Sequence, residues 1–198
     1  MKTTLITGGL GFIGSNICDA LLQKKYADKC ILLDNFGGYV NPIKDSFIDF
    51  RKQRFPSLKN IIIERCDTSN YKALSSILNK YKPNYIYHTA ALPLAKVSNL
   101  NNEEAKISSV DSTVNIIDAI NLLKNSDQKY QFDRFIYFSS SMVYGDFKKP
   151  TVTEKSEKNP KDAYGIMKLA GEVVTEGLCK LHNIPYTIIR PSAVYGPK

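Results

Sequence analysis

A chain of 198 residues, 43% hydrophobic and 23% charged, has the make-up of a globular domain with a proper core. Its net charge of +8 comes from dispersed lysines (Lys24 and Lys25, Lys148 and Lys149, then Lys155, Lys158 and Lys161) with no nucleic-acid-binding motif beside them. They read as a solvated surface, and no nucleic acid is expected as a partner. No apolar run approaches the roughly 20 residues of a membrane helix, and the opening MKTTLITGG is not built like a signal peptide. Four scattered cysteines and two histidines without ligand-like spacing point to reduced thiols and no metal site, so a cytoplasmic protein is expected.

Short apolar runs alternate with longer segments of helical period, the signature of βαβ units around a parallel sheet. In chain order, strands are predicted at Thr3–Thr7, Cys30–Asp34, Asn60–Glu64, Tyr85–His88, Arg134–Ser139 and Tyr186–Arg190. Helices are predicted near Phe12–Lys25, Tyr71–Tyr81, Glu103–Lys124 and Ala163–His182, with another short helix within Ile43–Arg54. Right-handed crossovers through six such strands give a doubly wound parallel α/β sheet, a Rossmann fold, with strand order 3-2-1-4-5-6. The stretch Phe147–Asp162 reads as a long exposed loop, and loops of that length inside a domain are usually functional.

The first strand runs straight into Gly8-Gly9-Leu10-Gly11-Phe12-Ile13-Gly14, and a helix follows. Gly8 lets the chain turn sharply, Gly11 lets the backbone approach a pyrophosphate, and Gly14 lets helix and strand pack closely. The N–H groups of the first helical turn then face the phosphates, helped by the helix dipole. Asp34 lies about twenty residues beyond the last glycine, at the end of the second strand, where a carboxylate accepts from ribose hydroxyls. The same carboxylate repels a 2′-phosphate, which favours NAD over NADP.

The fifth strand ends in Ser139-Ser140-Ser141, at the edge of the sheet where ligands of such folds bind. Tyr164 and Lys168 stand at i and i+4 of the following helix and share one face. A free phenol ionises near ~10, and a neighbouring ammonium is expected to lower that value. Tyr164 would then serve as a base towards a hydroxyl proton.

With these motifs in place, the sequence resembles the extended short-chain dehydrogenases/reductases, in the NAD-dependent epimerase/dehydratase group. The resemblance rests on Thr7 to Gly14, Asp34-Asn35, Cys66-Asp67 and His88-Thr89-Ala90-Ala91. It continues through Ser139 to Gly145 and Tyr164 to Lys168, and ends in Arg190-Pro191-Ser192-Ala193-Val194-Tyr195-Gly196-Pro197. It implies Ser140, Tyr164 and Lys168 as the catalytic set, and NAD as the cofactor. Cofactor contacts are implied for Gly8, Gly11, Phe12, Ile13 and Gly14 at the phosphates and for Asp34 and Asn35 at the ribose. Asp67 and Thr68 would lie by the adenine, and Thr89, Ala90, Ala91 and Ser109 would line the cofactor. Lys168, with Tyr164, Pro191 and Ser192, would meet the nicotinamide half.

Family members mostly act on nucleotide-activated sugars. Dehydratases carry an Asp-Glu pair after the catalytic hydroxyl and decarboxylases a Glu, whereas this chain has Ser141 and Met142. The expected activity is therefore epimerisation at C4 of a UDP-sugar through a keto intermediate. A keto-sugar reductase or dehydratase of the same family is the alternative, and a non-catalytic dinucleotide-binding regulatory protein is the alternative from another class. Ser109, Ser112 and Ala193 depart from the usual asparagine, glycine and asparagine. The family's substrate subdomain follows the Arg190–Pro197 motif, so the chain is expected to be a truncated NAD-binding domain, homodimeric at full length through Glu103–Lys124 and Ala163–His182.

Overall fold

The computed structural model describes residues 2–37, 55, 59–91, 102–147 and 150–196. At its centre β1 (Thr3–Thr7) pairs with β2 (Lys29–Asp34) on one side and β4 (Tyr85–His88) on the other. β3 (Ile61–Arg65) lies outside β2, while β5 (Arg134–Phe138) and β6 (Tyr186–Ile189) extend the opposite side. All pairs are parallel, and the order is β3-β2-β1-β4-β5-β6, the doubly wound arrangement expected from the sequence. The order reverses between β1 and β4, so the carboxyl ends of these two strands border the crevice where such sheets take ligands.

The strands are apolar on both sides because both faces are covered. Leu5, Ile31, Leu33, Ile86, Phe135 and Tyr137 pack towards Leu74 and Leu78 of α2 (Tyr71–Tyr81) and Ile116, Ile117 and Ile120 of α4 (Ser112–Ser126). The alternate residues Ile6, Cys30 and Leu32 meet Leu10 and Cys18, the latter on α1 (Phe12–Gln23), with Phe55 in the same cluster. This period-two split between two cores holds the central strands in register.

Two boundaries differ instructively from the sequence reading. β5 stops at Phe138 rather than Ser139, because β6 runs into Pro191, which has no N–H to continue the ladder. The single helix expected over Glu103–Lys124 is three segments: α3 (Asn102–Lys106), a π-turn at Ile107–Asp111, and α4. At the start of α4 the hydroxyls of Ser112 and Thr113 donate back into the π-turn, to the carbonyls of Ser108 (2.6 Å) and Ser109 (2.7 Å), a local competition with regular helical bonding. The last long helix, α5 (Ala163–Leu181), starts at Asp162, whose carboxylate accepts from Gly165 N at 2.7 Å. The short helix expected within Ile43–Arg54 falls outside the described residues.

Candidate active site

The glycine loop has the geometry its sequence predicts. Gly8 sits at φ +65°, and a Cβ there would stand 2.9 Å from the backbone nitrogen of Ala90. A Cβ on Gly14 would meet the Gly8 carbonyl oxygen at 2.4 Å, so helix α1 approaches the loop as closely as it does only without a side chain. Gly11, by contrast, meets only that same oxygen, at 3.1 Å, and is otherwise open. Helices α2 and α5 have side-chain caps from Asn70 and Asp162, whereas Gly11 at the start of α1 provides none. The N–H groups of the first turn, with Phe12 and Ile13, therefore face the loop as donors suited to an anion.

Asp34 ends β2, 7% exposed, and ties the loop down. Its carboxylate accepts from Leu10 N (3.1 Å) and Phe36 N (2.9 Å). Beside it Asn35 donates to Asp67 (2.8 Å), which also accepts from the backbone and hydroxyl of Ser69. Partial burial pushes the Asp67 carboxyl upward, but these hydrogen bonds outweigh it and hold the group below the ordinary carboxylate range. Thr68 is buried, and its carbonyl accepts from Asn115 Nδ2 at 3.0 Å, which fixes the turn after β3 against α4.

At the end of β4 the Thr89 hydroxyl donates to the Thr7 carbonyl (2.6 Å), and Ala90 N donates to the Thr7 hydroxyl (3.2 Å). These bonds seat Thr89, Ala90 and Ala91 against the glycine loop. Ser109, 2% exposed, lies in the π-turn.

Past the end of β5, Ser140 accepts from Met142 N at 3.2 Å, and its side chain lies beside the phenol of Tyr164. Lys168, one turn further along α5, is 3% exposed and donates to the Phe138 carbonyl at 2.8 Å. Its ammonium nitrogen is 5.7 Å from the centre of the Tyr164 ring. Burial pulls Lys168 down to about 8. The expected lowering of Tyr164 is corrected here: burial raises its phenol above the ordinary value, the polar Ser140 side chain beside it offsets only part, and Asp162 acts in the same direction as burial. Desolvation of a phenolate wins over an ammonium that lies near the ring without a hydrogen bond to the oxygen.

Pro191 follows β6 and accepts from Ser141 N at 2.9 Å, which brings the two strand ends together; Ser192 is exposed.

Two arrangements escape a reading of the sequence. Arg190 makes a bidentate pair with buried Glu172 (2.7 and 2.8 Å) and also donates to the Tyr144 hydroxyl (2.8 Å) and the Glu154 carbonyl (3.0 Å). One guanidinium thus joins the end of β6, helix α5, the turn after β5 and the long loop. The only signal for it is Glu172, standing four residues after Lys168 on the same helical face. His88 is buried between the hydroxyls of Thr7 (2.7 Å) and Ser112 (3.2 Å), and only the unusual Ser112 hints at this.

The four thiols are free and buried. Among the described residues no cluster of His, Cys, Asp and Glu could hold a metal ion, and no helix is long and apolar enough to cross a membrane.

Residues 4–198 match the NAD dependent epimerase/dehydratase family. The chain is 30% identical over 199 residues to an uncharacterized UDP-glucose epimerase of Bacillus subtilis, covering 98% of this chain and 57% of that protein. It is 29% identical over 209 residues to a dTDP-D-glucose 4,6-dehydratase of Dictyostelium discoideum, covering 100% of this chain and 45% of the relative. Among solved structures, the UDP-glucuronic acid 4-epimerase of Bacillus cereus in complex with NAD superposes with a TM-score of 0.79 at 28% identity, covering 98% and 58% of the two chains. The chain spans about half the length of the curated relatives it matches.

Proposed function

The chain belongs to the NAD-dependent epimerase/dehydratase family, and from that premise we propose that it is the cofactor-binding and proton-transferring part of a UDP-sugar 4-epimerase. One observation carries this reading. Ser140, Tyr164 and Lys168 converge beyond the carboxyl end of β5, while the positions after the serine hold Ser141 and Met142 rather than an acid–base pair. Elimination needs a side chain there that gives and takes protons at neutral pH, and neither residue does. Inversion at C4 needs only one group to take the hydroxyl proton and return it.

The cofactor of the family is NAD. The residues present fit it: the open backbone at Gly11, the uncapped start of α1 and the carboxylate at the end of β2 form a phosphate and ribose cradle. In this assignment Gly8, Gly11, Phe12, Ile13 and Gly14 hold the pyrophosphate, and Asp34 and Asn35 hold the adenosine ribose. Asp67 and Thr68 border the adenine. Thr89, Ala90, Ala91 and Ser109 form the walls, with Pro191 and Ser192 by the nicotinamide. NAD, when bound, supplies reversible acceptance of a hydride from the sugar carbon.

The protein's own part is proton handling. Tyr164 takes the proton of the sugar 4-hydroxyl, and Ser140 hydrogen-bonds the same oxygen throughout. Burial penalises a lone phenolate on Tyr164 and a lone ammonium on Lys168 alike. Formed together, the two charges offset each other's desolvation, so the pair is the form in which Tyr164 is basic. Lys168 has donors beyond the one spent on Phe138, and these are assigned to the nicotinamide ribose. Return of the proton from Tyr164 to the inverted C4 oxygen closes the cycle.

Self-association of two copies is assigned to α4 and α5, which expose Leu122 (55%), Ile166 (48%), Val173 (66%) and Leu181 (69%). The three on α5 stand seven and eight residues apart, on one side of the helix. Four buried free thiols suit a reducing compartment, and the activity is placed in the cytoplasm.

Product analysis tests the reading. The full-length protein, given UDP-glucose or UDP-glucuronate, should yield the C4 epimer with no net change in reduced cofactor. Net consumption of NADH would mark a reductase instead.

A further inference from the structure

His88, the last residue of β4, is 1% exposed and takes no part in the proton transfer described above. Its ring packs against Phe135 and Tyr137, with centroids 6.1 and 5.9 Å away. Both ring nitrogens are occupied: Nδ1 lies 2.7 Å from the Thr7 hydroxyl and Nε2 lies 3.2 Å from the Ser112 hydroxyl.

The neighbours force the direction of every bond. The Ser108 carbonyl can only accept, so the Ser112 hydroxyl spends its proton there, at 2.6 Å. Ser112 is then an acceptor towards His88, and the proton between them sits on Nε2. At the other end the Ala90 N–H can only donate, and it donates to Thr7 Oγ1 at 3.2 Å. The Thr7 hydroxyl in turn donates to Nδ1. The result is one directed chain: Ala90 N–H to Thr7, Thr7 O–H to His88 Nδ1, His88 Nε2–H to Ser112, Ser112 O–H to the Ser108 carbonyl. The imidazole is neutral throughout, since burial, reinforced by Lys168, pulls its pKa down to about 3.

This chain spans three segments assigned to the cofactor. Thr7 is the last residue before the glycine loop, Ala90 is part of the cofactor wall, and Ser108 and Ser112 flank Ser109 across the π-turn. We propose that His88 is a positioning residue for NAD: a fixed Nε2–H imidazole that sets the glycine loop, the β4 end and the π-turn at the spacing the cofactor requires. Ser112, in place of the family's usual glycine, is the acceptor that completes it in this chain. The proposal rests on the NAD site assigned above.

The test uses the full-length protein stripped of cofactor, with NAD affinity measured by calorimetry alongside thermal melting. His88→Phe keeps the ring packing and removes both bonds; it should raise the Kd for NAD about tenfold in the folded state. Ser112→Ala removes one bond and should raise it about threefold. His88→Asn keeps an acceptor towards Thr7 and should fall between His88→Phe and the parent. In the parent, nitrogen NMR should show the proton of His88 on Nε2 at neutral pH. A lower melting temperature with unchanged NAD affinity in folded His88→Phe, or a proton on Nδ1, overturns the proposal. If His88→Phe does not fold, Ser112→Ala and the nitrogen spectrum decide. Failure of the NAD site itself would look different, because the unaltered protein would then not bind NAD.

Discussion

The ammonium of Lys168 donates across 2.8 Å to the carbonyl oxygen of Phe138. This bond anchors α5 to the end of β5 one residue before Ser139 and two before Ser140. The lysine is thereby aimed at the proposed reaction centre, but its charge is buried at a cost that the fold must carry.

That cost has a sign that can be measured. The folded protein releases the Lys168 proton at about 8, against an ordinary value of 10.5. Between those values the unfolded chain binds more protons, so stability rises with pH across that window and is lowest below it. The burden below pH 8 is on the order of 3 kcal/mol, while the bond to Phe138 returns about 1 kcal/mol. Lys168→Met, stripped of NAD, should melt higher than the parent at pH 7 while losing activity, and the gap should close towards pH 10.5. Thermal unfolding of both proteins across that range checks it.

Two glycines of the same loop should separate folding from binding. A Cβ at position 14 meets the Gly8 oxygen at 2.4 Å and the Gly9 Cα at 2.8 Å, all backbone, so Gly14→Ala must displace the loop. It should cost about 1–3 kcal/mol of stability and abolish NAD binding. Gly11→Ala meets one oxygen at 3.1 Å and should fold nearly normally, yet weaken NAD at least tenfold by filling the phosphate approach. Melting and NAD titration of the pair check both.

Glu172 and Arg190 form a pair largely withdrawn from solvent, with side chains 5% and 16% exposed. Glu172→Gln leaves the guanidinium short of its counter-charge at the junction of β6, α5 and the long loop. A loss on the order of 3 kcal/mol is expected, because breaking a buried pair strands the remaining charge. Urea unfolding measures it.

Val173 is 66% exposed between Ile166 and Leu181 on α5. If two copies associate through this face, Val173→Glu in the full-length protein should convert a dimer to a monomer in sedimentation, with the melting of each subunit little changed.

The strand order was readable from the sequence because alternating apolar runs and right-handed crossovers leave few topologies. The glycine spacing and the i, i+4 placement of Tyr164 and Lys168 were readable because both are local relations. What escaped depends on distant partners. The π-turn arises where Ser112 and Thr113 bond backwards while His88 approaches from another strand. The Arg190 clamp draws on Glu172, Tyr144 and Glu154, three segments far apart in the chain. The direction of the Tyr164 shift is not legible in the sequence, because spacing reports proximity to an ammonium but not the depth of burial that outweighs it.

The most direct test of the proposed chemistry follows the atom at C4. UDP-glucose or UDP-glucuronate carrying deuterium at C4 is given to the full-length protein, and the products are analysed by NMR. Epimerisation by hydride transfer from and back to C4 yields an epimer that retains deuterium at C4, with solvent hydrogen excluded and turnover reduced at least about a hundredfold in Tyr164→Phe. Deuterium at C6 of a 4-keto-6-deoxy sugar, or turnover unchanged in Tyr164→Phe, would contradict it.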